Sequence, residues 1–121
     1  MYTLAFVTKR VPGMTREEFF EHYRVTHYNL SSTLPGLVSY QQAALDHDGA
    51  PWGLSGPFAE YDALSLYTFA SKEEAVAAFA SPIGADVDAD TPLFMEWSSI
   101  LAMPTEVIQR FDAAAEGGDL S

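Results

Sequence analysis

Residues 15–40, TREEFFEHYRVTHYNLSSTLPGLVSY, decide how the rest of the chain is read. Thr15 followed three positions later by Glu18 is a capping box, and Glu17 and Glu18 suit the positive end of a helix dipole. At about 100° per residue, Phe19, Tyr23 and His27 fall within an arc of about 80°, with Phe20 close beside them. Glu17, Glu18, Glu21, His22 and Arg24 lie outside that arc. The pattern predicts an amphipathic helix with His27 on its apolar stripe and His22 at the solvent edge. Residues 29–34 allow a further helical turn, Pro35-Gly36 stops it, and 37–45 reads as a strand.

Working outward, residues 2–8 are aromatic and β-branched, with apolar side chains on both faces, so a buried first strand is expected. Val11-Pro12-Gly13-Met14 breaks it. Residues 46–60 form a long Gly/Pro-rich connection whose Trp52 and Phe58 argue for a packed flap. A third strand is expected over 61–69. Ser71 with Glu74 makes a second capping box, opening a helix over 73–80 whose alanines approach the sheet and whose Val76 and Phe79 anchor it. Residues 84–91 read as a short acidic connection. Residues 98–108 read as a fourth strand, in which Pro104 marks an edge or an interruption.

The order βαββαβ is the ferredoxin-like α+β plan: a four-stranded antiparallel sheet with both helices on one face. Strands that are apolar on both faces then need a second cover. A second copy of the same sheet supplies it, so a homodimer through the sheet faces is expected. One domain over 1–110 and a flexible tail over 111–121 complete the organisation.

Composition excludes several function classes. The 121 residues carry 17 Asp+Glu against 6 Lys+Arg, a net charge of −11. Such a surface repels phosphate backbones and anionic lipid headgroups, so no nucleic-acid or membrane partner is expected. No apolar run approaches the ~20 residues of a membrane span. Lys9 and Arg10 follow the first apolar run instead of preceding it, unlike a signal peptide. With no cysteine there is no disulfide framework or thiolate chemistry, and a cytoplasmic location is the default expectation.

Asp86-x-Asp88-x-Asp90 imitates the start of a calcium loop, but Thr91 replaces the required glycine and Trp97 the bidentate glutamate. It reads as an acidic solvated turn, and no metal site is expected. Serine-hydrolase, nucleotide and zinc-protease motifs are absent from the sequence.

The ordered set of short motifs resembles the EthD family. It comprises Thr15, Glu18, Phe19, Tyr23 and His27 in the first helix, then L-P-G-L-x-x-Y (Leu34, Pro35, Gly36, Leu37, Tyr40). Y-D-A before a strand (Tyr61, Asp62, Ala63) and a final Ser81, Pro82, Asp90, Phe94 complete it. Tyr23 departs from the tryptophan expected of the family, and the 46–60 connection is longer than a minimal member needs. The resemblance implies a dimeric α/β barrel with a pocket between sheet and helices. It also implies small-molecule chemistry of the kinds known in the family and its superfamily: ether degradation, dehydration or decarboxylation of polyketides, and cofactor-independent oxygenation.

His27 is the sharpest candidate, because an imidazole on an apolar stripe can serve as general acid or base. The competing reading is a buried histidine bonded to a backbone carbonyl. Asp62 is the expected partner that orients it, and Tyr40 a donor to a substrate oxygen. Tyr23, Phe20 and Trp52 are expected to line the pocket. Together with the resemblance, which implies an aromatic or polyketide-like compound, these residues lead to the expectation of an enzyme without a cofactor, acting by acid/base chemistry on a small hydrophobic molecule. Cofactor-free monooxygenation and a non-catalytic accessory binding protein are the alternatives.

Overall fold

The computed structural model describes residues 1–54 and 56–116. Four antiparallel strands form one sheet in the order β2-β3-β1-β4, with β1 at Tyr2–Thr8, β2 at Leu37–Ala44, β3 at Ala63–Phe69 and β4 at Leu101–Glu106. The expected ferredoxin-like plan is therefore present. Pro104 sits opposite Leu4 on β4, an edge strand, where its missing N–H breaks no second ladder.

The first helical segment begins as the capping box requires. Thr15 Oγ1 accepts from Glu18 N at 3.0 Å, and Glu18 Oε1 accepts from Thr15 N at 2.8 Å. It is not one uniform helix. An α-helix, α1, spans Arg16–His22; a π turn covers Tyr23–His27; α2 spans Tyr28–Ser31. The π turn has Tyr28 N donating to Tyr23 O, five residues back, and Gln42 Nε2 on β2 also donates to that carbonyl at 2.8 Å. Gly36, at φ 76°, turns the chain into β2, and Val38 makes a bulge that keeps Tyr40 on the helix side.

The second helical layer differs from the sequence reading. α3 spans Lys72–Phe79 with Ser71 as its N-cap, and Ala75 and Ala78 bury against the sheet. Val76, expected as an anchor, is 62% exposed. The expected acidic connection is a helix, α4, at Pro82–Asp90. Ser81 caps it by accepting from Gly84 N at 3.1 Å, and Pro82 occupies the first turn, where no N–H is missed. A side chain at Gly84 would collide with the Phe79 carbonyl, so glycine lets α4 start hard against the end of α3.

Two apolar clusters hold these layers together. One joins Leu34, Tyr67, Phe69, Ala75, Ala78 and Val87; the other joins Phe19, Tyr23, Ala63, Phe94 and Met95. Phe19, Phe69 and Phe94 are fully buried, each stabilising by about 1.5–3 kcal/mol. The opposite sheet face carries Ala5, Val7, Leu66, Leu101 and Met103 and lies away from α1 to α4; Val7 is buried, whereas Leu101 and Met103 remain 39% and 43% exposed.

The long connection packs only in part as expected. A 3₁₀ segment covers Gly56–Glu60, Phe58 lies against Tyr61 at 6.2 Å between ring centroids, and Trp52 is 88% exposed. In the tail, Ala113–Glu116 forms one helical turn; the rest of the expected flexible tail, 117–121, lies outside the described residues. Among the described residues, no helix is long and apolar enough to cross a membrane.

Candidate functional site

A cavity of about 280 Å³ opens between the helix-side face of the sheet and the helices. That is the small end of the range for ligand sites. Phe6, Phe79, Val87, Met95 and Ile100 give it apolar walls, Thr8, Ser65 and Tyr67 rise from its sheet floor, and Trp97 and Asp88 stand at its exposed rim.

His27 lines this cavity and is 2% exposed. Its Nδ1 lies 2.9 Å from Asp90 Oδ2, at the end of α4. The same carboxylate meets His22 Nε2 through Oδ1 at 2.8 Å. A carboxylate can only accept, so both histidine nitrogens donate to Asp90. That fixes the His27 tautomer and leaves Nε2 with its lone pair, without a hydrogen-bond partner among the described residues. Burial lowers the His27 pKa from the ordinary histidine value of 6.5, against the opposing hydrogen bond and charge of Asp90. The ring is therefore a neutral base at neutral pH.

The π turn explains why both histidines reach one carboxylate. Five residues apart on a regular α-helix, they would diverge by about 140°. A turn closed five residues back narrows that divergence and brings the two side chains toward the same side. Phe94, fully buried, then packs against both rings, at 4.5 Å from His22 and 5.0 Å from His27 between centroids. His22 is thus not the free surface residue that α-helical periodicity predicts.

The expected pairing of His27 with Asp62 does not occur. Asp62 is fully buried just beyond the end of β1, where Oδ2 accepts from Arg10 N at 3.0 Å and Oδ1 from Arg10 Nη1 at 2.8 Å. Arg16 Nε adds an ionic contact at 3.3 Å. Asp62 thereby ties the β1–α1 loop to the start of β3.

Tyr40 stands one layer behind the cavity. Its ring stacks on Tyr67 at 4.6 Å, and its hydroxyl accepts from Gln42 Nε2 at 2.8 Å. Tyr23 lies behind His27, hydrogen-bonded to Ser65 Oγ, and burial raises its pKa so that it stays a neutral phenol. Phe20 packs on Phe19 and under the Arg16 guanidinium, away from the cavity. Trp52, on the exposed connection, does not reach it either. Of the expected set, His27 alone lines the cavity.

Sequence reasoning missed Thr8, Ser65, Tyr67 and above all Asp90. The Ser81-Pro82 pair was the available signal for Asp90, since Ser at a cap and Pro in the first turn announce a helix as readily as they end one. Among the described residues, no group of three His, Asp or Glu converges on a metal-sized site.

The sequence matches the EthD domain over residues 11–98. The chain belongs to the EthD family. An EthD family protein of Bacillus halodurans is similar in structure, at TM-score 0.70 and 21% identity, covering 89% of this chain and 100% of that one. A dimeric ferredoxin-like protein of unknown function from Thermobifida fusca follows at TM-score 0.66 and 13% identity, covering 88% and 90%. Hydroxynitrile lyase from Passiflora edulis gives TM-score 0.68 and 13% identity over 92% and 96%. At these identities the likeness establishes the fold and leaves the chemistry open. No protein with a curated description matches the sequence.

Proposed function

We propose that this EthD protein is a cofactor-independent enzyme that moves protons on a small aromatic or polyketide-like carbonyl compound, with His27 as the base. One observation supports the reading: a buried imidazole whose Nδ1 is held by Asp90 lines a mostly apolar cavity, which leaves Nε2 as the nitrogen available to a ligand. The step it favours is proton removal next to a carbonyl. Nε2 takes the proton, the C–H electron pair passes into an enolate, and the proton is returned at carbon or lost with a leaving group. Isomerisation or dehydration can follow; a decarboxylation reaches the same enolate by losing carbon dioxide in place of the proton, after which carbon is protonated. None of these needs more than a placed base and a dry site.

The working form is taken to be a homodimer in the cytoplasm, paired through the uncovered sheet face. The apolar stripe of Ala5, Val7, Leu66, Leu101 and Met103 supports that pairing.

The test is hydrogen–deuterium exchange of 2-tetralone, a two-ring ketone with an acidic α C–H, followed by NMR in D₂O. The wild-type protein accelerates exchange above the buffer rate, and His27→Phe does not. Exchange at the buffer rate with wild type, or undiminished in the variant, overturns the acid/base role. Oxygen uptake by aromatic phenols under turnover would favour the monooxygenase alternative instead.

A further inference from the structure

Thr8 ends β1 on the cavity floor and is 1% exposed, yet its Oγ1 has no hydrogen-bond partner among the described residues. Its backbone belongs to the sheet: the carbonyl accepts from Asp62 N at 2.9 Å, and the Cα faces Ala63 across the ladder. The side chain is therefore not recruited to hold the strand.

The other hydroxyls on the wall are engaged. Ser65 bonds Tyr23, Tyr67 bonds Ser31 at 2.9 Å, and Thr91 donates to the Val87 carbonyl at 2.8 Å. Asp88 and Trp97 also line the cavity, but they are exposed at its rim and open to solvent. That leaves Thr8 Oγ1, which can donate, as the buried lining atom without a partner among the described residues; His27, its Nδ1 held by Asp90, is the other polar group of the lining with a nitrogen to offer. Valine would fill the same place at no polar cost, so a buried hydroxyl here is explained by something that enters the cavity.

We infer that Thr8 is the ligand-oxygen site of this cavity: its hydroxyl donates a hydrogen bond to a carbonyl or phenol oxygen of a compact one- or two-ring aromatic ligand. The pairing of that oxygen with the neighbouring carbon at His27 rests on the acid/base reading above; the oxygen site itself does not. A neutral donor of this kind also stabilises the negative charge that gathers on the oxygen as the α proton leaves. The cavity then selects oxygenated rings over hydrocarbons of equal shape.

The experiment is NMR titration of wild type, Thr8→Val and Thr8→Ser with 2-tetralone and with tetralin, the same skeleton without oxygen. Thr8→Val weakens 2-tetralone about fivefold to tenfold and leaves tetralin unchanged, whereas Thr8→Ser keeps the wild-type preference. The melting temperature of Thr8→Val is equal to or above wild type, since no internal bond is lost. Failure of wild type to bind 2-tetralone, equal binding by Thr8→Val, or a lower melting temperature with both ligands weakened alike overturns the inference. Binding that depends on Thr8 without wild-type deuterium exchange leaves this site standing and removes the acid/base role. Exchange that is indifferent to Thr8 does the reverse.

Discussion

His27 Nδ1 and Asp90 Oδ2 lie 2.9 Å apart across 63 residues of sequence, one on the π turn and the other at the end of α4. The contact does two things at once. It docks α4 onto the first helical layer, and it decides which imidazole nitrogen carries the proton.

Asp90→Asn tests the second role. An amide can turn its NH₂ toward Nδ1, which would then hold a lone pair and send the proton to Nε2, the wrong tautomer for a base. Deuterium exchange of 2-tetralone should fall roughly a hundredfold, with ligand affinity nearly kept. An undiminished exchange rate would mean that Asp90 serves packing alone.

Acidification should destabilise the fold through His27. Its folded pKa lies below the ordinary 6.5, so between the two values the unfolded chain binds a proton that the folded one does not. The contribution is complete above about pH 6.5 and is lost as pH falls through the folded pKa. Lower pH also relieves repulsion within a chain of net charge −11, so the wild-type curve alone mixes two effects. The difference in melting temperature between wild type and His27→Gln, measured from pH 8 to 5, isolates the histidine. That difference should change below pH 6.5, wild type losing more.

The succession βαββαβ, the first capping box and the special position of Pro104 were legible in the sequence because each depends on local chemistry. Aromatic and β-branched runs, a Thr/Glu spacing and one proline suffice to predict them. The site was only partly legible. His27 stood out as an ionisable group on an apolar stripe, but its partner is set by tertiary packing and by a π turn that a 100° wheel cannot represent. That wheel sent His22 to solvent, and three aspartates in 86–90 disguised a capped helix as a turn. Asp62, conspicuous beside Tyr61 and Ala63, was given to the wrong partner because Arg10 and Arg16 converge on it only after folding.

Asp62→Ala should therefore strike stability. The carboxylate is fully buried, while Arg10 and Arg16 are 39% and 35% exposed and can turn to water once released. Breaking a buried pair costs about 3–5 kcal/mol, and the solvated arginines put this case near the lower figure. A drop of about 10 °C in melting temperature is expected. Below that temperature, deuterium exchange per folded molecule should stay within a few-fold of wild type. Loss of exchange in a fully folded variant would return Asp62 to the chemistry.

The uncovered sheet face makes the last prediction. Leu66 lies there on β3, opposite Ala5 on one side and Gln41 on the other, and Leu101 and Met103 extend the apolar surface along β4. If two copies pair through this face, a charge at its centre must be buried without a partner or keep the copies apart, and separation costs less. Analytical ultracentrifugation at micromolar concentration should find wild type as a dimer and Leu66→Lys as a folded monomer, its far-ultraviolet circular dichroism unchanged. The helix-side cavity lies on the other face of the sheet, so the monomer should still bind 2-tetralone. A wild-type monomer at that concentration overturns the face-to-face dimer and leaves the apolar stripe without an occupant.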